Sequence, residues 1–131
     1  MTPEYRAFLE ELFASFGTVE VRRTFNFHGL FRDGTIFGLV ADERVFLKTD
    51  VQSRQPFETA GSTPFCYRAR DGSEVATSYY ELPARFYNEP EEAAAWAQAA
   101  YEVALRSPTA ARKQRQRDKG MRQPARRSRS S

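Results

Sequence analysis

The 131-residue chain is long enough for one domain with a hydrophobic core, and its 11 Phe, six Tyr and one Trp predict an aromatic core. A single cysteine, Cys66, excludes an internal disulfide and fits a reducing compartment. No stretch reaches the ~20 apolar residues of a membrane-spanning helix, and the acidic N-terminal segment is unlike a secretory signal. We therefore expect a cytoplasmic protein that makes no membrane contact.

Charge divides the chain into two parts. Residues 1–106 hold 11 Lys/Arg and 16 Asp/Glu, a net charge of −5, whereas residues 107–131 hold nine Lys/Arg and one acid, a net charge of +8. The second part has no apolar periodicity, so the sequence predicts an acidic α+β domain over 1–106 and a basic disordered tail over 107–131.

The first elements are a helix and a short extended segment. Apolar residues recur at helical spacing over 3–15, where Thr2 can cap the first turn and Gly17 can end the helix. Residues 19–24 then form a short strand or an extended entry into the segment that follows.

Three antiparallel strands are predicted next, near 27–32, 35–41 and 44–48. Asp33-Gly34 favours a tight hairpin turn, and Asp42-Glu43 favours a second reversal. The middle strand is apolar on both faces, which is typical of a strand covered on two sides. Phe37 lies in that strand and is expected to be fully buried, while Gly38 indicates close helix packing or a bulge.

The remaining elements are a short helix, a hairpin and a last helix. Ser53 is the expected cap of the helical segment that ends at Ala60-Gly61. Two strands over 64–70 and 73–80 are joined at Asp71-Gly72. The last helix covers about 90–105 and is stopped by Pro108. The predicted fold class is α+β, an antiparallel sheet of about five strands flanked by the N- and C-terminal helices.

Short motifs occur in a fixed order along this domain: an arginine before an aromatic and glycine-containing segment, an Asp-Gly hairpin, a Leu-Lys-x-Asp strand end, a Gly-x-x-Pro-Phe-x-Tyr segment, a Tyr-x-x-Pro strand end and a tryptophan in the last helix. In this order they resemble the TfoX N-terminal domain family over about residues 4 to 105. The residues that carry the resemblance are Arg23, Phe25, Gly29-Leu30-Phe31, Asp33-Gly34, Leu47-Lys48-Thr49-Asp50, Gly61-Ser62-Thr63-Pro64-Phe65-Cys66-Tyr67, Tyr80-Glu81-Leu82-Pro83 and Trp96.

The resemblance implies a bacterial, non-enzymatic regulator. Full-length members are linked to competence-gene activation alongside the cAMP receptor protein, and they carry a second, helical C-terminal domain. Nothing after Ser107 resembles that second domain, so the expectation is a stand-alone N-terminal domain. The sequence departs from the family at Asn26-Phe27, where the family pattern has a pair of glycines in a loop.

Catalytic and metal chemistry have little support. His28 is the only histidine, which excludes a histidine-rich metal site. A catalytic role for His28 would need Cys66 or Ser78 as nucleophile and an acid such as Asp50, and no pattern places these residues together. Cys66 is expected to be a small, semi-buried and inert residue. The sequence therefore predicts no enzyme activity, no cofactor and no metal.

Two binding hypotheses remain. The first is an interaction module that contacts a protein partner, with a homo-oligomer as one possibility. Its candidate contact site is a polar cluster of Arg23, Lys48 and Asp50. The alternative for these residues is a simple salt bridge at the end of a strand. The second is a small-ligand-binding protein or enzyme with a pocket near His28 and Tyr80.

The basic tail is a separate candidate contact. It has no interleaved aromatic residues, so it can bind nucleic acid weakly through phosphates but cannot read sequence or stack on bases; a solubilising extension is the alternative. The residues concerned are Arg112, Lys113, Arg115, Arg117, Lys119, Arg122, Arg126, Arg127 and Arg129.

Overall fold

The computed structural model describes residues 1–24 and 27–106. The predictions for Pro108 and for the tail at 107–131 lie outside these residues. The elements in chain order are α1 (Pro3–Leu12), β1 (Glu20–Arg23), β2 (His28–Arg32), β3 (Thr35–Ala41), β4 (Arg44–Lys48), α2 (Gln55–Thr59), β5 (Pro64–Arg68), β6 (Glu74–Glu81), a 3₁₀ helix (Ala84–Asn88) and α3 (Pro90–Arg106). None of the helices in these residues is long and apolar enough to cross a membrane.

The strands form one antiparallel sheet in the order β1-β2-β3-β4-β6-β5, which confirms the predicted α+β fold class. The extended entry at 19–24 contributes the sixth strand, since β1 pairs with β2 at one edge. Both predicted turns of the meander have positive φ at their two central residues: 49° and 81° at Asp33-Gly34, and 54° and 56° at Asp42-Glu43. The second turn therefore adopts left-handed backbone without a glycine.

The helices α1 and α3 pack with α2 on one face of the sheet, and the main core lies in that layer. Alanines of α3, including Ala93, Ala97 and Ala100, are buried there and bring the helix close to the strands. Trp96 is partly buried and contacts Phe57 and Phe86. Phe57 itself is buried and connects α2 to the core.

A β-bulge in β3 places Phe37 in the core. Leu30 pairs with Gly38 and Phe31 pairs with Ile36, so Phe37 is an extra residue with no partner on β2. A bulge changes the alternation of side chains along a strand. As a result, the Phe37 ring lies with the helix-side core against Phe13 and Phe16, and its complete burial confirms the sequence prediction. Gly38 follows the bulge directly, at a point where a Cβ would lie 2.7 Å from the carbonyl oxygen of Phe46 on β4.

Three local expectations were wrong. The first helix ends at Leu12 rather than 15, because Phe13 leaves the helix and the chain turns so that Phe16 reaches the core. Ser53 does not cap α2: its Oγ accepts from the Asp50 amide at 2.9 Å, and its own amide donates to Asp50 Oδ1 at 2.7 Å. Cys66 is exposed rather than semi-buried, because β5 is an edge strand.

Candidate functional site

The face of the sheet opposite the helices is lined by aromatic side chains. Residues that pair directly across antiparallel strands share a face, and the pairs Leu39–Phe46 and Lys48–Tyr79 belong to this one. We call it the aromatic face; its members are Phe27, Phe31, Phe46, Phe65, Tyr67 and Tyr79. No helix in the part of the chain that the structure describes packs on it.

The aromatic face is concave. Phe27 lies just before β2 and Phe65 lies on β5, toward opposite edges of the sheet, yet their ring centroids are 5.9 Å apart, and the Phe65 centroid is 5.2 Å from that of Phe46. In a flat sheet β2 and β5 would be about 19 Å apart, at roughly 4.8 Å per strand. The sheet must therefore curl toward this face, which agrees with the irregular registers in β2–β3 and β5–β6.

Mutual contact of these rings explains the burial on this side. Leu39 and Phe46 are 2% and 4% exposed although no helix covers them. The middle strand is therefore covered on two sides, as predicted, with the helices over one face and neighbouring side chains of the sheet over the other. The outer rings remain accessible, with Phe27, Phe31, Phe65 and Tyr79 partly exposed and Tyr67 48% exposed.

Three cations lie over rings of the aromatic face. The Arg22 guanidinium is 4.4 Å from the Phe31 centroid. The Arg44 guanidinium is 5.5 Å from the Phe46 centroid, and the Lys48 ammonium is 5.1 Å from the Tyr79 centroid. Each distance is within the range of a cation–π contact, so the face combines apolar area with positive charge.

Lys48 is partly buried and contacts a hydroxyl and an aromatic ring. Its Nζ donates to Ser78 Oγ at 2.8 Å. Burial lowers the pKa of Lys48 and raises the pKa of the neighbouring Tyr79. Both directions follow from loss of solvent, which disfavours the charged form of each group.

The predicted polar cluster of Arg23, Lys48 and Asp50 does not form. Arg23 lies on β1 and Lys48 on β4, with β2 and β3 between them. Asp50 bonds to Ser53 and forms an ion pair with Arg106 at 3.4 Å. Sequence reasoning placed these three residues together without knowledge of the strand order.

His28 and Tyr80 do not line one pocket. They lie on β2 and β6, which are separated by β3 and β4. The Tyr80 hydroxyl is 3.3 Å from Glu58 Oε2. Partial burial lowers the pKa of His28, and three nearby positive charges, those of the N-terminus, Arg23 and Arg6, lower that pKa further. No group of three His, Cys, Asp or Glu residues among those described is placed to hold a metal ion.

We predict that no hydrolase or transferase activity depends on His28 or Cys66. The charges acting on His28 are positive, and the Cys66 thiol donates to the Pro64 carbonyl at 3.7 Å. Among the described residues, neither side chain therefore has the oriented acid–base partner that nucleophilic catalysis uses. Screening ester, phosphoester and peptide substrates checks this prediction. Activity that is lost in folded His28→Ala or Cys66→Ser protein would contradict it.

One glycine position of the family pattern carries an aromatic ring in this chain. Phe27 lies in the turn between β1 and β2, and its carbonyl accepts from the Thr24 amide at 2.8 Å and from the Thr24 hydroxyl at 3.0 Å. This pair closes the turn, and the Phe27 ring extends the aromatic face. The two residues between them lie outside the described ranges.

A comparison with protein-family models finds a match to the TfoX N-terminal domain over residues 11–104. A search of curated proteins finds no match. The matched segment runs from α1 to α3 and so contains the whole sheet and the aromatic face. The family match, the order of the sequence motifs and the α+β fold agree, and the chain belongs to the TfoX N-terminal domain family.

Proposed function

We propose that this protein is a small, non-enzymatic, cytoplasmic regulatory module that binds a protein partner on its aromatic face. The observation that carries the proposal is the one-sided layering of the sheet: among the described residues no helix covers the aromatic face, and its outer rings are partly exposed. Removal of apolar area of this kind from water is the main favourable contribution in most protein–protein association. Membership of the TfoX N-terminal domain family supports a role in bacterial transcription and competence.

The chemistry of the face favours binding over catalysis. Its members are rings, and two of the three cations beside them are paired with carboxylates: Arg22 with Glu20 at 3.0 Å and Arg44 with Glu81 at 2.7 Å. Aromatic and arginine side chains are also the residue types that contribute most to protein–protein interfaces. The surface thus offers contact area without a paired nucleophile and base.

Capture of partners from native lysate tests the proposal. The double variant Phe65→Ser/Tyr67→Ser removes two accessible rings, and Leu105→Ser is its matched control, because Leu105 on α3 is 50% exposed and Tyr67 is 48% exposed. We expect the double variant to lose the proteins that the native chain retains and the control to keep them. Equal capture by all three chains would contradict the proposal, provided that their circular dichroism spectra agree.

The basic tail supports a second, weaker contact, with nucleic acid. Its +8 charge contrasts with the −5 of residues 1–106, so we propose that phosphate binding belongs to 107–131 alone. We expect a Kd of about 10⁻⁴–10⁻⁶ M for random duplex near physiological salt, without sequence preference.

Truncation after Ser107 tests the tail. It should remove both the affinity for duplex and the steep dependence of that affinity on salt, and it should leave the melting temperature of the domain unchanged. Titrations of both chains over a salt series measure this. Equal binding by the truncated chain would move the nucleic-acid contact to the folded domain.

A further inference from the structure

The three cations of the aromatic face differ in how their charge is neutralised. Arg22 forms a two-bond pair with Glu20, with both distances 3.0 Å, and Arg44 forms one with Glu81 at 2.9 and 2.7 Å. Each guanidinium group is thus already paired with a carboxylate of the same chain. Neither arginine therefore offers a free positive charge to a partner.

Lys48 has no such carboxylate. Within residues 1–24 and 27–106 it forms no ion pair, and its only hydrogen bond goes to the neutral hydroxyl of Ser78. An ammonium group has three N–H donors, so two remain for a ligand. The aromatic rings around it lower its hydration, and an incoming anion would meet a stronger attraction there than at a fully exposed lysine.

Apolar and cationic groups are adjacent at this point. Phe46 and Lys48 lie two residues apart on β4 and share a face, Tyr79 pairs with Lys48, and the Phe65 ring contacts Phe46. A ligand that covers the partly exposed rings of Phe65 and Tyr79 would thus place an attached anion next to Lys48 Nζ. This part of the aromatic face therefore fits a ligand in which one negatively charged group lies next to an apolar side chain.

On the basis of the proposed function, we infer that the aromatic face recognises a protein segment in which a carboxylate lies beside an aromatic or aliphatic side chain. The carboxylate accepts hydrogen bonds from Lys48 Nζ, and the apolar side chain lies against the partly exposed rings of Phe65 and Tyr79. Glu20 and Glu81 already neutralise the other cations, so one carboxylate, rather than an acidic run, matches the face.

Single-stranded nucleic acid fits the same surface less well. Its binding sites combine stacking rings with a row of cations that follows the phosphates. The aromatic face offers one unpaired ammonium among the described residues, on a domain whose net charge is −5. The negative charge of the domain repels a ligand with many negative charges. A ligand with one carboxylate is repelled less and can still pair with Lys48.

Selection from a displayed random-peptide library, with the full chain as target, tests the inference. We expect enrichment of Asp or Glu next to Phe, Trp or Leu. The selected peptides should bind Lys48→Met about tenfold or more weakly than the native chain, because a charged hydrogen bond is lost. Arg6→Met, which removes one positive charge from α1, should leave the affinity unchanged, and Lys48→Arg should retain most of it.

Replacing the peptide carboxylate by the isosteric amide should weaken binding to the native chain by the same factor as the Lys48→Met substitution does. The amide peptide should bind Lys48→Met as tightly as the carboxylate peptide does. Selected peptides without an acidic residue, or peptides that bind Lys48→Met as tightly as the native chain, would overturn the inference. If those peptides still fail to bind Phe65→Ser/Tyr67→Ser, the proposed function stands. Peptides that bind this double variant as well as the native chain would overturn both. A thymine oligonucleotide that displaces the peptides and needs Phe65 would also overturn the inference.

Discussion

Replacing Phe37 by alanine should lower the free energy of unfolding by about 3–5 kcal/mol, the loss typical of a fully buried phenylalanine. The ring is 0% exposed, and its centroid lies 6.4 Å from that of Phe13 and 5.0 Å from that of Phe16. The cost combines lost transfer free energy with the cavity left between the sheet and the end of α1.

Urea melts of the native chain and of Phe37→Ala measure this loss. Tyr67→Ala is the control, since its ring is 48% exposed and its removal leaves no closed cavity. We expect less than about 1 kcal/mol for the control. A loss of that small size for Phe37→Ala would mean that the ring does not face the core.

Replacing Gly38 by alanine should destabilise the domain by about 1–3 kcal/mol, the usual cost of forcing extra atoms into a packed site. A Cβ at this position would lie 2.7 Å from the backbone carbonyl oxygen of Phe46 and 3.1 Å from Leu47 Cδ2. A backbone oxygen within a central strand cannot move without disturbing the pairing of β3 with β4.

Gly29 is a matched control for Gly38. A Cβ at Gly29 would also meet an atom at 2.7 Å, but that atom is Cε1 of the Phe31 ring, which can rotate away. We therefore expect Gly29→Ala to cost clearly less than Gly38→Ala in the same melts. Equal losses would show that crowding against the backbone is not what selects glycine at position 38.

Much of the fold could be predicted because local signals agreed. The meander strands were placed within a residue or so of their observed ends, since Asp33-Gly34 and the alternation of apolar residues indicate the same hairpin. Helix ends were less accurate, because the burial of Phe13 and Phe16 is a tertiary effect that prevails over helical spacing.

The candidate site could not be predicted because it depends on strand order and curvature. Phe27 and Phe65 are 38 positions apart in the sequence, and only a curled sheet brings their rings together. The available signal was the recurrence of aromatic residues at alternate positions, as in Phe65 and Tyr67, which places both rings on one face of the strand. The separation of Arg23 from Lys48 likewise follows from the order of the strands.

Site-specific photocrosslinking tests the central claim, that partners bind the aromatic face. A benzophenone side chain replaces Tyr67 in one full-length chain and Leu105 in another, two positions of nearly equal exposure, 48% and 50%, on opposite sides of the molecule. Irradiation in cells that express each chain should give protein adducts from position 67 and few or none from position 105. Adducts from position 105 without adducts from position 67 would contradict the claim.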